Sequence, residues 1–303
     1  MRPLRVLVTG AAGQVGLDFT ATLRGEAPPG ADSQWRPDAI AIAEGEFEVL
    51  GVTRHELDIT NADAITRTLT LTRPDVVVNL AAYTAVDQAE GDAAACYAVN
   101  AEATGVLSAT CATLGSHFVT VSTDYVFDGD KGAAYREDDP PNPQGVYGAS
   151  KWAGELRCRN EDTIVRTSWV MGVRGRSVVH VIADRAVNGS TVRFVDDQTG
   201  TVTLAADLAR ALVTVVRERP GGLWHVANEG TTTWFELARF VGHVLGRDDD
   251  FATAISTSEL TPAPLARRPR RSDLDTSKWR SRWAALPDWH DGVARLVRDR
   301  VAP

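Results

Sequence analysis

Val8-Thr-Gly-Ala-Ala-Gly-Gln-Val-Gly16 decides the fold. The apolar run Val6-Leu-Val8 leads into it, and an amphipathic stretch, Gln14 to Leu23, leads out. The order is strand, glycine turn, helix. Gly10, Gly13 and Gly16 have the spacing G-x-x-G-x-x-G. Glycine lets the chain turn tightly, brings backbone amides against a pyrophosphate and lets a helix pack close on a strand. The free amides and partial positive charge of the helix N-terminus complete an anion site. A glycine-rich turn alone is a weak sign. Placed directly after the first strand and opening the first helix, it predicts dinucleotide binding.

Working outward, short apolar runs alternate with longer amphipathic ones. Strands are expected at Glu48 to Val52, Val76 to Asn79, Phe118 to Ser122 and Thr163 to Thr167. Helices are expected over Asn61 to Leu71, with Thr60 or Asn61 as cap, over Ala93 to Leu114, and from Tyr147 onward. Strands alternating with helices predict an α/β fold, a doubly wound parallel sheet covered on both faces. Gly25 to Gly45 is long for a connection and reads as a surface insertion. Later come strands at Arg193 to Val195 and Leu223 to Ala227. Helices follow at Ala205 to Arg217, Trp234 to Leu245 (Thr233 opening a capping box) and Asp291 to Arg300. Residues 1–170 are expected to form mainly a Rossmann-type nucleotide-binding core. Residues 171–303 are expected to form mainly a smaller C-terminal lobe, with segments returning to the core.

The chain of 303 residues is long enough for a substantial core. Its net charge of -8 gives no basic field to attract nucleic acid or anionic lipid. Cys96, Cys111 and Cys158 lack metal or redox spacing and read as free thiols of a reducing compartment. A strand begins within the first residues, so no signal peptide is expected, and no apolar run is long enough to cross a bilayer. The expectation is a cytoplasmic protein.

Tyr147-Gly-Ala-Ser-Lys151 follows the turn signals Asp139-Pro-Pro-Asn-Pro-Gln-Gly145. On a helix its phenol and ammonium lie one turn apart on one face. The ammonium is expected to favour the tyrosinate and draw the phenol's pKa down toward the working range. Such a phenol protonates a carbonyl oxygen while hydride adds to the carbon. The bland alternative is an aromatic helix start beside a solvated lysine. Val121-Ser-Thr-Asp-Tyr-Val-Phe127 closes the fourth strand, so Ser122, Thr123 and Asp124 are expected to face nicotinamide and substrate. At the end of the second strand Val52-Thr-Arg54 offers a guanidinium and no carboxylate. That favours NADPH over NADH, unless Arg54 is simply solvated. Asp58, in Leu57-Asp-Ile-Thr60, is placed to hydrogen-bond the adenine.

The glycine turn, the Ser/Thr strand end and Tyr-x-x-x-Lys, in this order, resemble the extended short-chain dehydrogenase/reductases. Within them the chain is similar to the dTDP-4-dehydrorhamnose reductases. The similarity rests on Asn79-Leu-Ala-Ala-Tyr-Thr-Ala-Val-Asp-Gln-Ala-Glu90, Ser122-Thr-Asp-Tyr-Val-Phe-Asp-Gly129 and Tyr147-Gly-Ala-Ser-Lys-Trp-Ala-Gly-Glu155. Arg166-Thr-Ser-Trp-Val170, Asp196-Asp-Gln-Thr-Gly200, Thr231-Thr-Thr-Trp-Phe235 and Arg268-Pro-Arg-Arg-Ser-Asp-Leu-Asp275 extend it over nearly the whole chain. The resemblance implies NADPH-dependent reduction of the C4 ketone of a dTDP-sugar in dTDP-rhamnose biosynthesis, on an NADP-binding core and a substrate-binding lobe. It implies a triad of Thr123, Tyr147 and Lys151, cofactor contacts at Gly13, Gln14, Val15, Asp58, Ile59, Ala82, Tyr83, Thr84 and Val121, and sugar contacts at Asp124 and Trp169. A monomer or homodimer is expected.

Two departures bear on the sugar. Val170-Met-Gly-Val-Arg-Gly-Arg-Ser-Val179 lacks the family's usual aromatic and Asn-Phe pair, and Thr201-Val-Thr203 replaces small-Pro-Thr. The family is often linked to magnesium. Asp18 lies near one acidic position, but Val192-Arg193 supply no partner, and the six histidines lack ligand spacing, so no metal site is expected. Arg267, Arg268, Arg270 and Arg271 are either a solvated run or cations for the substrate's diphosphate, with Arg268 the candidate. Trp234 reads as a helix-packing residue. Two alternatives stay open: a 4-ketoreductase for another dTDP-deoxysugar, and a non-catalytic NADP-binding regulatory subunit like the methionine adenosyltransferase beta subunit.

Overall fold

Alternation along the strands fixes which side chains go to which face. In the computed structural model, which describes residues 2–26, 41–174 and 177–301, odd and even positions part cleanly. Val6, Val8, Val76, Val78, Val119 and Val165 pack on one side with Phe19, Leu208 and Leu212. Leu7, Val77 and Phe118 pack on the other with Ile65, Leu69 and Leu107. A sheet buried on both faces is what near-continuous apolar strands of this kind require.

The strands are β1 (Leu4–Thr9), β2 (Phe47–Val52), β3 (Val76–Asn79), β4 (His117–Thr123), β5 (Thr163–Thr167) and β6 (Gly222–His225). They form one parallel sheet in the order β6-β5-β4-β3-β1-β2. The order reverses between β1 and β3, and ligands of such sheets lie outside the carboxyl ends at that point. Helices α1 (Gln14–Leu23), α2 (Ala62–Thr72), α3 (Ala93–Tyr97), α4 (Ala103–Leu114) and α5 (Val146–Glu155) cover the sheet. Asn61 caps α2, its side chain accepting from Ala64 N.

One long helix was expected over Ala93 to Leu114. The structure keeps the chain helical over that span, with a π-helical turn, Ala98–Glu102, joining α3 to α4. A buried asparagine, Asn100, sits in that turn and bonds Tyr83 and Ser150. Periodicity alone does not register one extra residue in a turn.

Beyond β5 come α6 (Val178–Val187), α7 (Ala205–Glu218), α8 (Trp234–Val244) and α9 (Trp289–Val301). Helix α7 packs on α1 and β6 joins the main sheet beside β5. A separate apolar cluster gathers Val179, Ile182, Leu237, Val241, Phe251 and Val293 from α6, α8, α9 and their connections. Sequence reading gave α6 no assignment, because it mixes β-branched residues with His180, Asp184 and Arg185. Thr233 caps α8 by accepting from Glu236 N, one half of the expected capping box; the Glu236 carboxylate pairs with Arg239 instead. Most of the insertion expected at Gly25 to Gly45, residues 27–40, lies outside the described residues. The three cysteines are free thiols. No helix among the described residues is long and apolar enough to cross a membrane.

The cap at Asn61 satisfies an amide that would otherwise be orphaned at the start of α2. Asn61→Ala is expected to cost about 1 kcal/mol, read as a shift in the denaturation midpoint at unchanged m-value.

Candidate active site

The glycine turn is built by contacts that leave no room for side chains. Gly10 follows β1 at φ +67, and a Cβ there would lie 2.6 Å from Ala81 N, just past β3. A Cβ on Gly16 would lie 2.2 Å from the Gly10 carbonyl oxygen. These close approaches bring the loops after β1 and β3 together at the reversal point. Gly13 is the N-cap of α1 and has no side chain with which to cap it. This start of α1 lies on a cleft of about 570 Å³ whose wall includes Gly13, Gln14, Val15 and Gly16. An anion fits such a helix end.

The same cleft is also lined by Val121 to Asp124, Tyr147, Lys151 and Trp169. Helix α5 is pressed into place by two glycines. A Cβ on Gly148 would lie 2.1 Å from the Tyr125 carbonyl oxygen, and one on Gly154 would lie 2.2 Å from that of Asn100. Tyr147 and Lys151 therefore start from a helix whose position is fixed by backbone contact. Lys151 Nζ donates to the Val121 carbonyl at 2.6 Å. Burial depresses the Lys151 pKa to about 8, with Glu155 acting the other way. Glu155 is itself engaged by Arg166 of β5 through two bonds of 2.9 and 2.6 Å, a buried bidentate pair.

The phenol does not behave as the sequence suggested. Tyr147 was expected to have its pKa drawn down by Lys151. Instead burial pushes it up to about 12; a hydrogen bond with Thr123 opposes the rise, and Asp124 and Cys96 add to it. Burial of the phenol is the chief cause; the ammonium donates to a carbonyl of β4, and the charge of Asp124 adds to the rise. Asp124 is buried, accepts from Ser272 Oγ at 2.6 Å and Thr123 Oγ1 at 3.0 Å, and has its pKa raised to about 7, chiefly by burial. The centre thus offers a protonated phenol, a hydroxyl, an ammonium that titrates near 8, and an aspartic acid poised near neutrality.

Ala82 and Thr84 also line the cleft. Their loop is held by Asn100, which sequence reading missed. Its Oδ1 accepts from Tyr83 N at 2.9 Å, and its Nδ2 donates to Tyr83 O at 3.1 Å and to Ser150 Oγ at 3.0 Å. A lone asparagine in the run Ala93 to Ala103 was the available signal.

Other expected residues lie elsewhere. Arg54 is exposed past β2. Asp58 Oδ1 accepts from Thr60 N and Oγ1, and Ile59 is packed under the sheet. Tyr83 is tied to Asn100 outside the cleft wall. Arg268 pairs with Asp87 at 2.7 Å and lines a second cavity of about 660 Å³, together with Gln198 and Phe194. Trp234 was expected only to pack its helix; it lines both cavities and stacks on Trp169, ring centroids 4.0 Å apart. The surroundings of Asp18 do not fit a magnesium ion. Its carboxylate is buried, an Arg174 guanidinium lies 4.0 Å away, and among the described residues no three His, Cys, Asp or Glu gather as ligands.

The family model described as RmlD substrate binding domain matches residues 38–301. The dTDP-4-dehydrorhamnose reductase of Burkholderia thailandensis is 36% identical over 99% of this chain and 100% of its own length. A Streptomyces antibioticus protein named as a probable dTDP-4,6-dihydroxy-2-methyloxan-3-one 4-ketoreductase is also 36% identical, over 99% of this chain and 96% of that one. The crystal structure of dTDP-4-dehydrorhamnose reductase from Bacillus anthracis in complex with NADP superposes with a TM-score of 0.85 at 31% identity, covering 98% of this chain and 99% of that one.

Lys151 is expected to carry its charge at neutral pH and to lose it as pH rises through about 8. Titration of the labelled lysine Cε resonance checks this. A midpoint at the ordinary value for lysine, above 10, would contradict the burial argument.

Proposed function

The chain belongs to the RmlD substrate-binding-domain family of dTDP-4-dehydrorhamnose reductases, and we propose that it reduces the C4 ketone of dTDP-4-dehydro-β-L-rhamnose with NADPH to give dTDP-β-L-rhamnose. One observation carries the reading beyond membership. Tyr147, Thr123 and Lys151 stand on the wall of a single cleft that the start of α1, Gly13 to Gly16, also lines. NADPH, when bound, supplies the hydride. The protein's own groups handle binding and the proton.

The amides that open α1 take the cofactor's diphosphate. Tyr147 gives its proton to the C4 oxygen as charge develops there. A phenol with its pKa near 12 is fully protonated at neutral pH, and its proton leaves when the ketone becomes an alkoxide, a far stronger base. Thr123, whose own proton goes to Asp124, keeps the phenol in place beside that oxygen. Lys151, anchored on the Val121 carbonyl, holds the nicotinamide ribose beside the phenol. Asp124, bonded to Thr123, fixes that hydroxyl's direction. Arg54, exposed beyond β2 and within electrostatic reach of Asp58, takes the 2'-phosphate of NADPH. Arg268 meets the substrate's diphosphate in the second cavity.

A second reading, a 4-ketoreductase of another dTDP-deoxysugar, is favoured by the Streptomyces relative's name and by the departures at Val170 to Val179 and Thr201 to Thr203. An assay following NADPH oxidation with a panel of enzymatically generated keto sugars separates the two. Absence of turnover by folded protein with every sugar would favour the regulatory reading instead.

Tyr147→Phe is expected to keep NADPH binding and to lower kcat by about 10³-fold; a near-normal rate would remove Tyr147 as the acid. Arg54→Ala is expected to weaken NADPH by about tenfold while leaving NADH nearly unchanged, measured as dissociation constants by fluorescence titration.

A further inference from the structure

Two cavities meet at one indole. The first holds the glycine turn, Tyr147 and Lys151; the second holds Arg268, Gln198 and Phe194. Tyr125 and Trp234 line both. A nucleotide sugar undergoing reduction places its ketone at Tyr147. Its diphosphate has no place at the start of α1, which the cofactor's diphosphate takes. The anionic half of the substrate therefore goes to the cavity with Arg268, and the pyranose between the two halves passes Tyr125 and Trp234.

Trp234 is held for that task. It is the first residue of α8, and the capping Thr233 also donates to Asp196 at 2.6 Å. Its ring lies nearly parallel to that of Trp169, with an interplanar angle of 15°. Trp169 sits at φ +41, a conformation a bulky residue rarely adopts. Its indole is blocked from retreating: a Cβ on Gly200 would lie 2.6 Å from its Cε2. The pair is a fixed aromatic wall at the junction, and the C–H face of a pyranose is an apolar surface suited to it.

We propose that Trp234, backed by Trp169, positions the sugar ring of the substrate and acts on the sugar rather than on the nucleotide. The proposal rests on the nucleotide-sugar reading given above. It separates Trp234 from Arg268, whose cavity receives the diphosphate end.

The test compares dTDP, dTDP-rhamnose and NADPH by calorimetry on wild-type protein, Trp234→Ala and Trp234→Phe. Trp234→Ala is expected to weaken dTDP-rhamnose about tenfold or more, with dTDP and NADPH unchanged, and Trp234→Phe to recover part of the loss. Stacked indoles couple in circular dichroism; dTDP-rhamnose is expected to perturb that signal in the wild type, and dTDP alone to leave it. Unchanged binding of dTDP-rhamnose by Trp234→Phe and Trp234→Ala overturns the proposal alone. So does an equal loss for dTDP, which makes the indole a nucleotide or packing residue. Failure of the wild type to bind dTDP-rhamnose while binding NADPH overturns the functional reading as well.

Discussion

Helix α5 touches its neighbours backbone to backbone, and the chemistry depends on that contact. Gly148 and Gly154 bracket Lys151, and both face carbonyl oxygens too close to admit even one carbon. A helix held by side chains shifts when they repack; one seated on carbonyls has little freedom to do so. Between the two glycines, Ser150 meets Asn100 and Lys151 meets the Val121 carbonyl. The phenol, the ammonium and the loop of Ala82 to Thr84 are thus referenced to a single rigid body. Arg166 and Glu155 add the link to β5.

The electrostatic design follows from depth. Water is excluded from Tyr147, Lys151 and Asp124 enough to push each toward its neutral form: the phenol to about 12, the ammonium to about 8, the carboxyl to about 7. A charge brought into such a place finds few competing dipoles, so the fixed donors act on it strongly. Any anion forming at the ketone oxygen meets the phenol, which Thr123 helps to hold in place. The carboxylate of Asp124 would oppose that anion if fully ionised; bonds from Ser272 and Thr123 spread its charge.

How much of this was legible in the sequence varied with the kind of constraint. The Gly10, Gly13 and Gly16 spacing and the strand alternation are local patterns with one cheap structural solution, and α1 begins and ends where its pattern does. Tyr147 and Lys151 were found because four residues on a helix is a fixed geometry. The direction of the phenol's shift was misjudged, since a Tyr-x-x-x-Lys spacing does not say how deeply the fold buries the phenol. Asn100 and the double role of Trp234 were hidden for a related reason. Their partners, Tyr83, Ser150 and Trp169, are far away in sequence, and only the fold brings them near.

The π-helical turn at Ala98–Glu102 has a consequence for the architecture as a whole. Removing one residue there to regularise the helix would swing Asn100 by about 100°, away from Tyr83 and Ser150. The loop beyond β3 would then lose its fastening to α5, although sheet and core stayed intact. Through the irregular turn one helix fastens the loop beyond β3 to the helix that carries Tyr147. Shortening the turn would uncouple the two halves of the site without unfolding either.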